Sequence, residues 1–371
     1  MRLHIAQNEK VIGRCIDNFE LIFPGDNKWI IMTSDNQRDY VGEKKNITKC
    51  DYNSPLFWNT IGDITQYDKI IIHFLTEKSA RFVCKINHPN IYWIEWGADL
   101  YNDMLQYKGY QLYEDRNTPR KFGRYRWLGP FYHTIHRFKL YYKQKKYLKA
   151  AKKIKFFVPD SMYDEYPLLL KYYPELNHLQ YRDFFYYPIN EILGKEFDDY
   201  YSKGSNIIIG NSASLTGNHK EILKLLSTLN LQDRKVIIPL SYGVTTYGNY
   251  IENYSRSILG ERVVVLREYL SLNNYNDILK SANIFIYNNY RQEAVGNILV
   301  ALYMGGKVFL NSRNPLLKFY KSLGLVIYEV DDLKRTDGFK PLEENEIKNN
   351  REILLKYYSR ERQLNLIRTN F

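Results

Sequence analysis

Two carboxylates and two indoles crowd around one glycine in the stretch Ile91-Tyr92-Trp93-Ile94-Glu95-Trp96-Gly97-Ala98-Asp99-Leu100-Tyr101. A carboxylate at the end of a strand is placed to face a cleft and take a proton from an attacking hydroxyl, while an indole stacks on a sugar ring. Asp99 is the candidate general base, with Glu95 beside it. His73, which ends its own apolar run, is a further candidate, although a strand-end histidine also serves as an ordinary structural residue.

A second kind of chemistry is written in the later part of the chain. In Ile207 to His219, small polar residues including Asn211, Ser212 and Ser214 stand between an apolar run and a helix start. Backbone N–H groups at a helix N-terminus, joined by hydroxyls, bind a pyrophosphate, and an ordinary capped turn reads the same way. The loop Asn288 to Asn297 repeats the arrangement with Asn289, Arg291, Gln292, Glu293, Gly296 and Asn297. Arg291 can pair with phosphate there, and Gln292 or Glu293 can hydrogen-bond sugar hydroxyls. Met304-Gly305-Gly306-Lys307-Val308 then turns the chain into the next apolar run. This polar, acid-bearing loop, helix, glycine turn and β-run resemble the donor site of GT-B glycosyltransferases.

These residues need a frame that carries them to one edge. The second half alternates β-branched runs (206–210, 235–240, 262–266, 283–287, 307–311) with amphipathic stretches (218–229, 247–259, 272–281, 293–304, 315–323). That is the pattern of a parallel sheet covered by helices, a Rossmann-like domain whose post-strand loops line a crevice. The first half has similar but less regular runs at 3–6, 29–33, 69–74, 91–96 and 154–159. The expected class is therefore α/β with two Rossmann-like domains facing across a cleft. The boundaries read as an acceptor-binding domain over 1–192, a polar linker over 193–205 with Gly194 and Gly204, a nucleotide-sugar domain over 206–342, and a C-terminal helix over 343–371 packing back across both.

A length of 371 residues favours two cores over one, and 44% hydrophobic with 25% charged residues suits a folded protein. Cys15, Cys50 and Cys84 are spaced too widely for a short metal motif, and one stays unpaired in any disulfide scheme, so a reducing compartment is expected. The start has no signal-like apolar core and no eighteen-residue apolar run follows, so neither export nor a membrane span is expected.

Charge is concentrated in one place. Arg120 to Lys155 holds thirteen Lys or Arg and no acid, against 40 basic and 41 acidic residues elsewhere. Nine aromatics interleave with these cations. Such a segment suits the surface of an anionic bilayer, with Arg137, Lys139, Lys143, Lys145, Lys146 and Lys149 as the expected contacts. Single-stranded nucleic acid is the rival partner, disfavoured because the rest of the chain carries neither excess positive charge nor a nucleic-acid motif. A nucleotide-sugar epimerase or dehydrogenase is disfavoured because Ala6-Gln7-Asn8-Glu9-Lys10 stands where a G-x-G-x-x-G would open the first unit.

The chain resembles the bacterial TDP-Fuc4NAc:lipid II Fuc4NAc transferases of enterobacterial common antigen synthesis. The likeness is strongest at Trp96-Gly97-Ala98-Asp99-Leu100-Tyr101. It continues at Gly210-Asn211-Ser212 with His219, at Val236 to Tyr242, at Arg291-Gln292 followed by Gly296, and at Asn311-Ser312-Arg313-Asn314-Pro315. It implies a GT-B fold, a dTDP-activated 4-acetamido-4,6-dideoxygalactose donor, a polyprenyl-diphosphate-linked saccharide acceptor and no metal or other cofactor. It also adds Ser241 and Tyr242 to the donor site, and it places the enzyme at the cytoplasmic face of the inner membrane. The sequence departs from the pattern at Glu95, where an apolar residue is expected, and at Glu293, where Gln is expected. Those departures leave the donor sugar open, with UDP- or GDP-sugars of capsule or O-antigen assembly as alternatives.

Overall fold

The computed structural model describes residues 1–33, 39–160, 163–193, 201–268, 270 and 272–371. The chain folds as two compact units, one of 1–110, 137–188 and 360–371, the other of 111–136 and 189–359.

The first unit is built on seven strands: β1 (Arg2–Gln7), β2 (Asn27–Met32), β3 (Ile47–Cys50), β4 (Lys69–His73), β5 (Ile91–Glu95), β6 (Phe156–Pro159) and β7 (Gln180–Tyr181). They form one parallel sheet in the order β3-β2-β1-β4-β5-β6-β7. Leu3, Ile5, Ile70, Ile71, Ile72, Ile91 and Trp93 are buried on both faces of the sheet, which explains runs that are apolar without alternation. The helix Lys10–Ile22 buries Ile12, Cys15, Ile16 and Phe19 against one face.

In the second unit, β8 (Asn206–Ile209), β9 (Val236–Pro239), β10 (Val263–Leu266), β11 (Ala282–Tyr287), β12 (Lys307–Leu310) and β13 (Tyr328–Glu329) make a parallel sheet in the order β10-β9-β8-β11-β12-β13. Both sheets reverse strand order beside their first strand, at β1/β4 and at β8/β11. A doubly wound sheet binds ligands at such a switch point, outside the carboxyl ends of its strands.

Three boundaries differ from the sequence reading. Gln111 to His136 belongs to the second unit, because Asn218 holds it: the Glu114 N–H donates to Asn218 Oδ1 (3.1 Å) and Asn218 Nδ2 donates to the Leu112 carbonyl (3.4 Å). Phe122 packs there on Tyr247 and Tyr250. The C-terminal helix is two, Glu344–Tyr357 in the second unit and Arg360–Asn370 in the first, broken where Tyr358 turns fully into the core. The division between units falls at Pro188/Ile189, ahead of the expected linker, most of which (194–200) lies outside the described residues. Among the described residues, no helix is long and apolar enough to cross a membrane.

Candidate active site

At the carboxyl edge of the first sheet, β5 ends in Glu95 and the chain turns through Gly97 at φ 81, a conformation that favours glycine. The turn folds Asp99 back beneath the strand. Its Oδ2 accepts from Trp93 Nε1 (2.7 Å) and the Leu75 N–H (2.9 Å), and its Oδ1 accepts from the Trp96 N–H (3.0 Å). Asp99 is fully buried. Burial raises its carboxyl to about 6, against the pull of these donors. The expectation that Asp99 faces an open cleft is thus corrected: its oxygens tie the β4 and β5 loops together.

Glu95 is also fully buried, accepting from the Gly97 N–H, and it adjoins Glu165 and Tyr101 in the interior. Burial, then the charges of Glu165 and Asp99, hold the Glu95 carboxyl well above the usual range. Burial pushes Glu165 up to about 8, although the Glu95 and Tyr101 groups beside it pull it down.

His73 sits in an interior relay. Asn27 Nδ2 donates to the Phe23 carbonyl (2.7 Å), so its Oδ1 accepts from His4 Nε2 (3.3 Å). His4 Nδ1 then accepts from His73 Nε2 (3.0 Å), and His73 Nδ1 accepts from the Tyr186 hydroxyl (2.7 Å). Burial lowers His73 to about 3, so both rings are neutral, and the orientation of each is fixed by its neighbours. None of the three expected catalytic side chains is exposed. What this edge presents instead is Trp96, half-buried and stacked on Phe74 (5.2 Å between ring centroids), with Phe74 itself at φ 69. A non-glycine residue held at positive φ at a strand end marks stored backbone strain.

In the second unit, β8 runs into Gly210 at φ 64, and His219 packs so closely that a Cβ on Gly210 would lie 2.6 Å from its Nε2. Burial lowers His219 to about 4. Across the switch point, the loop after β11 folds Asn289, Arg291 and Glu293 into a tight cluster with Thr216. Glu293 Oε2 accepts from Thr216 Oγ1 (2.5 Å) and Asn289 Nδ2 (2.8 Å), and it pairs with Arg291 Nη2 (3.1 Å). Ser212 and Gln292 are buried nearby in sequence. Ala294 at φ 63 delays the helix start, so the helix runs Val295–Tyr303, with open space at Gly296 in its first turn.

Beside this helix lies a cavity of about 170 Å³ lined by Asn211, Ser241, Tyr242 and Asn297 together with Pro239, Leu266, Glu268, Leu270 and Tyr275. Asn211 Nδ2 donates to the Tyr242 hydroxyl (2.9 Å) and Tyr275 to Asn297 Oδ1 (3.4 Å). Four of the ten expected donor residues therefore share one cavity, and three others share one buried cluster. Glu268 and Tyr275 lie outside the loops read from sequence, whereas Thr216 belongs to the hydroxyl-bearing 207–219 turn. The first two follow β10, whose strand is legible but whose exit through Arg267 and Glu268 has no glycine turn or run of small polar residues to mark it as a ligand loop.

In the basic segment, helix Tyr132–Ala151 presents Arg137, Lys139, Lys145 and Lys149 at its surface. Lys143 and Lys146 are instead half-buried, paired with Asp103 and Glu77. Trp127 (73% exposed), Phe131 (69%), Phe138 (62%) and Tyr142 (55%) are uncovered in the same segment.

Three solved structures share this architecture along nearly their full length. A glycosyltransferase from Rickettsia africae matches with a TM-score of 0.60 at 13% identity, over 100% of this chain and 96% of its own. The Candida albicans trehalose-6-phosphate phosphatase N-terminal domain matches with a TM-score of 0.64 at 11% identity, over 100% and 95%. Anabaena HepE, solved in complex with UDP and glucose, matches with a TM-score of 0.57 at 10% identity, over 100% and 98%. At these identities the likeness is one of fold, and the fold is GT-B. Residues 137–337, more than half of the chain, match the model of a single sequence family. The chain belongs to the 4-alpha-L-fucosyltransferase family, glycosyl transferase group 56, and is a glycosyltransferase.

Proposed function

We propose that this glycosyltransferase takes a 4-acetamido-4,6-dideoxyhexose from a dTDP-linked donor and places it on a polyprenyl-diphosphate-linked saccharide, at the inner face of the bacterial inner membrane and without a metal. The observation that carries the donor half is the cavity beside helix Val295–Tyr303, with Asn211, Ser241, Tyr242 and Asn297 on its wall. The nucleoside occupies that cavity. The diphosphate lies at the helix N-terminus and the Gly210–Ser212 turn, where backbone N–H groups meet its charge. In the first unit, the Trp96/Phe74 stack offers a ring platform for the acceptor saccharide. Asp99, Glu95 and His73 hold that edge in shape from below.

The test is thermal unfolding with dTDP, UDP, GDP and a short single-stranded DNA, each with and without EDTA. A nucleotide at a hundred times its Kd should stabilise the fold by about 2.7 kcal/mol. Stabilisation by dTDP, unaffected by EDTA, is the expected outcome. UDP or GDP in its place would change the donor, and stabilisation by DNA alone would sink the reading.

A further inference from the structure

The Arg291–Glu293 pair poses a problem for a site that binds a diphosphate. Both side chains are nearly buried, at 11% and 13% exposure, so their charges meet with little solvent between them. Arg291 Nη1 donates to the Gln292 carbonyl (2.9 Å), and among the described residues its buried Nε has no acceptor. Glu293 is not loosely placed. Thr216 and Asn289 hold the same oxygen that meets Arg291, and Asn289 is itself fixed by a bond from its Nδ2 to the Thr216 carbonyl (3.2 Å). A carboxylate anchored on two further sides does not swing away when another anion arrives.

We propose that Glu293 is a fixed counter-anion that competes with the diphosphate of the nucleotide for Arg291, and so sets how tightly the nucleotide is held. The proposal rests on the donor reading above. An arginine facing phosphate alone gives a strong charge-assisted contact, whereas one already matched by a carboxylate gives less, and the carboxylate repels the incoming charge. Sugar transfer leaves a nucleoside diphosphate in the site, and that product must depart before the next turnover. Release of product limits many enzymes. Glu293 is thus a positioning residue that trades affinity for release, and the nucleoside end of the ligand does not feel it.

Calorimetric titration with dTDP, UDP, thymidine and uridine tests this on the full chain. Glu293→Gln keeps an oxygen for Thr216 and Asn289 and removes the charge. It should tighten the diphosphate by roughly tenfold and leave the matching nucleoside within about twofold. In turnover the same variant should lower both the donor KM and kcat. An unchanged ratio of diphosphate to nucleoside affinity, or weaker diphosphate binding, overturns the proposal. Glu293→Gln also strands a buried guanidinium and can fail to fold for that reason. Arg291→Gln combined with Glu293→Gln removes both charges and should hold the diphosphate within about threefold of the parent, since each opposes the other. A loss above tenfold in that double variant would show Arg291 to be an unopposed phosphate ligand, which also overturns it. If the parent binds neither nucleotides nor nucleosides, the donor reading itself falls and this inference with it.

Discussion

Three N–H groups converge on Asp99, and that convergence decides what a substitution there does. Asparagine has one acceptor oxygen where aspartate has two, so its NH₂ would face a donor inside a fully buried site. Asp99→Asn should therefore cost about 1–3 kcal/mol of stability, read as a lower denaturant midpoint, with activity falling only as the folded fraction falls. Collapse of turnover at an unchanged midpoint would restore a role in the chemical step. The buried Glu95–Glu165 pair and the buried histidines act on opposite limbs of the stability curve. Glu165 stays protonated in the fold up to about 8, while an unfolded glutamate releases its proton near 4.5. Its contribution is whole below 4.5 and is lost as pH rises towards 8. His73 and His219 ionise in the fold only near 3 and 4, against 6.5 when unfolded, so their contribution is whole above 6.5 and is lost as pH falls towards those values. Glu165→Gln should flatten the loss of stability between pH 5 and pH 8, within that window, and leave the acid limb in place. A midpoint with the same pH dependence in parent and variant would remove Glu165 from that account.

Helix Tyr132–Ala151 carries its cations unevenly, and this decides which of them can test the expected membrane contact. Lys143 and Lys146 are engaged by Asp103 and Glu77, so changing them to glutamate would disturb packing as well as charge. Arg137, Phe138, Tyr142, Lys145 and Lys149 are exposed. Lys145→Glu with Lys149→Glu should reduce sedimentation with phosphatidylglycerol liposomes, as should Phe138→Ser with Tyr142→Ser, because each cation near such a surface contributes roughly 1 kcal/mol. Equal binding to neutral and anionic liposomes would refute an electrostatic contact. The lysines could not be sorted from sequence because their partners lie about 40 and 70 residues away along the chain. The same limit explains what was legible elsewhere. Parallel strands buried on both faces, such as Ile70–Ile72 and Ile284–Ile286, announce themselves as apolar runs. The β7 and β13 edges are two residues each, too short for any pattern, and β3 at the other edge has one buried residue. At the candidate site, the loops were found because asparagine, serine and glycine mark turns. Asp99, Glu95 and His73 lie inward and not on an open edge, because a strand-end position does not say which way the side chain turns, and here Gly97 turns Asp99 inward.

On the scale of the whole molecule, the first unit is closed by residues from the far end of the chain. Gln363 accepts from Asn18 Nδ2 (2.8 Å) and donates to the carbonyls of Phe185 (2.9 Å) and Tyr186 (2.7 Å), all buried. Ile367 and Phe371 complete the core around Phe19 and Phe184, and the Phe371 carbonyl accepts from Arg2 Nε (2.7 Å). Gln363→Ala would leave three buried polar groups without partners and should cost about 1–3 kcal/mol or more, read by denaturant unfolding, while nucleotide binding to the folded protein persists. A shift below about 0.5 kcal/mol would mean that water replaces the side chain. The order of manufacture follows from this arrangement. A ribosome makes the seven strands of the first sheet early, yet the helix that seals their core is translated only after all six strands of the second sheet. The second unit has its full complement of residues at Ser359, whereas the first lacks the Ile367 and Phe371 share of the core around Phe19 and Phe184 until residues 360–371 are made.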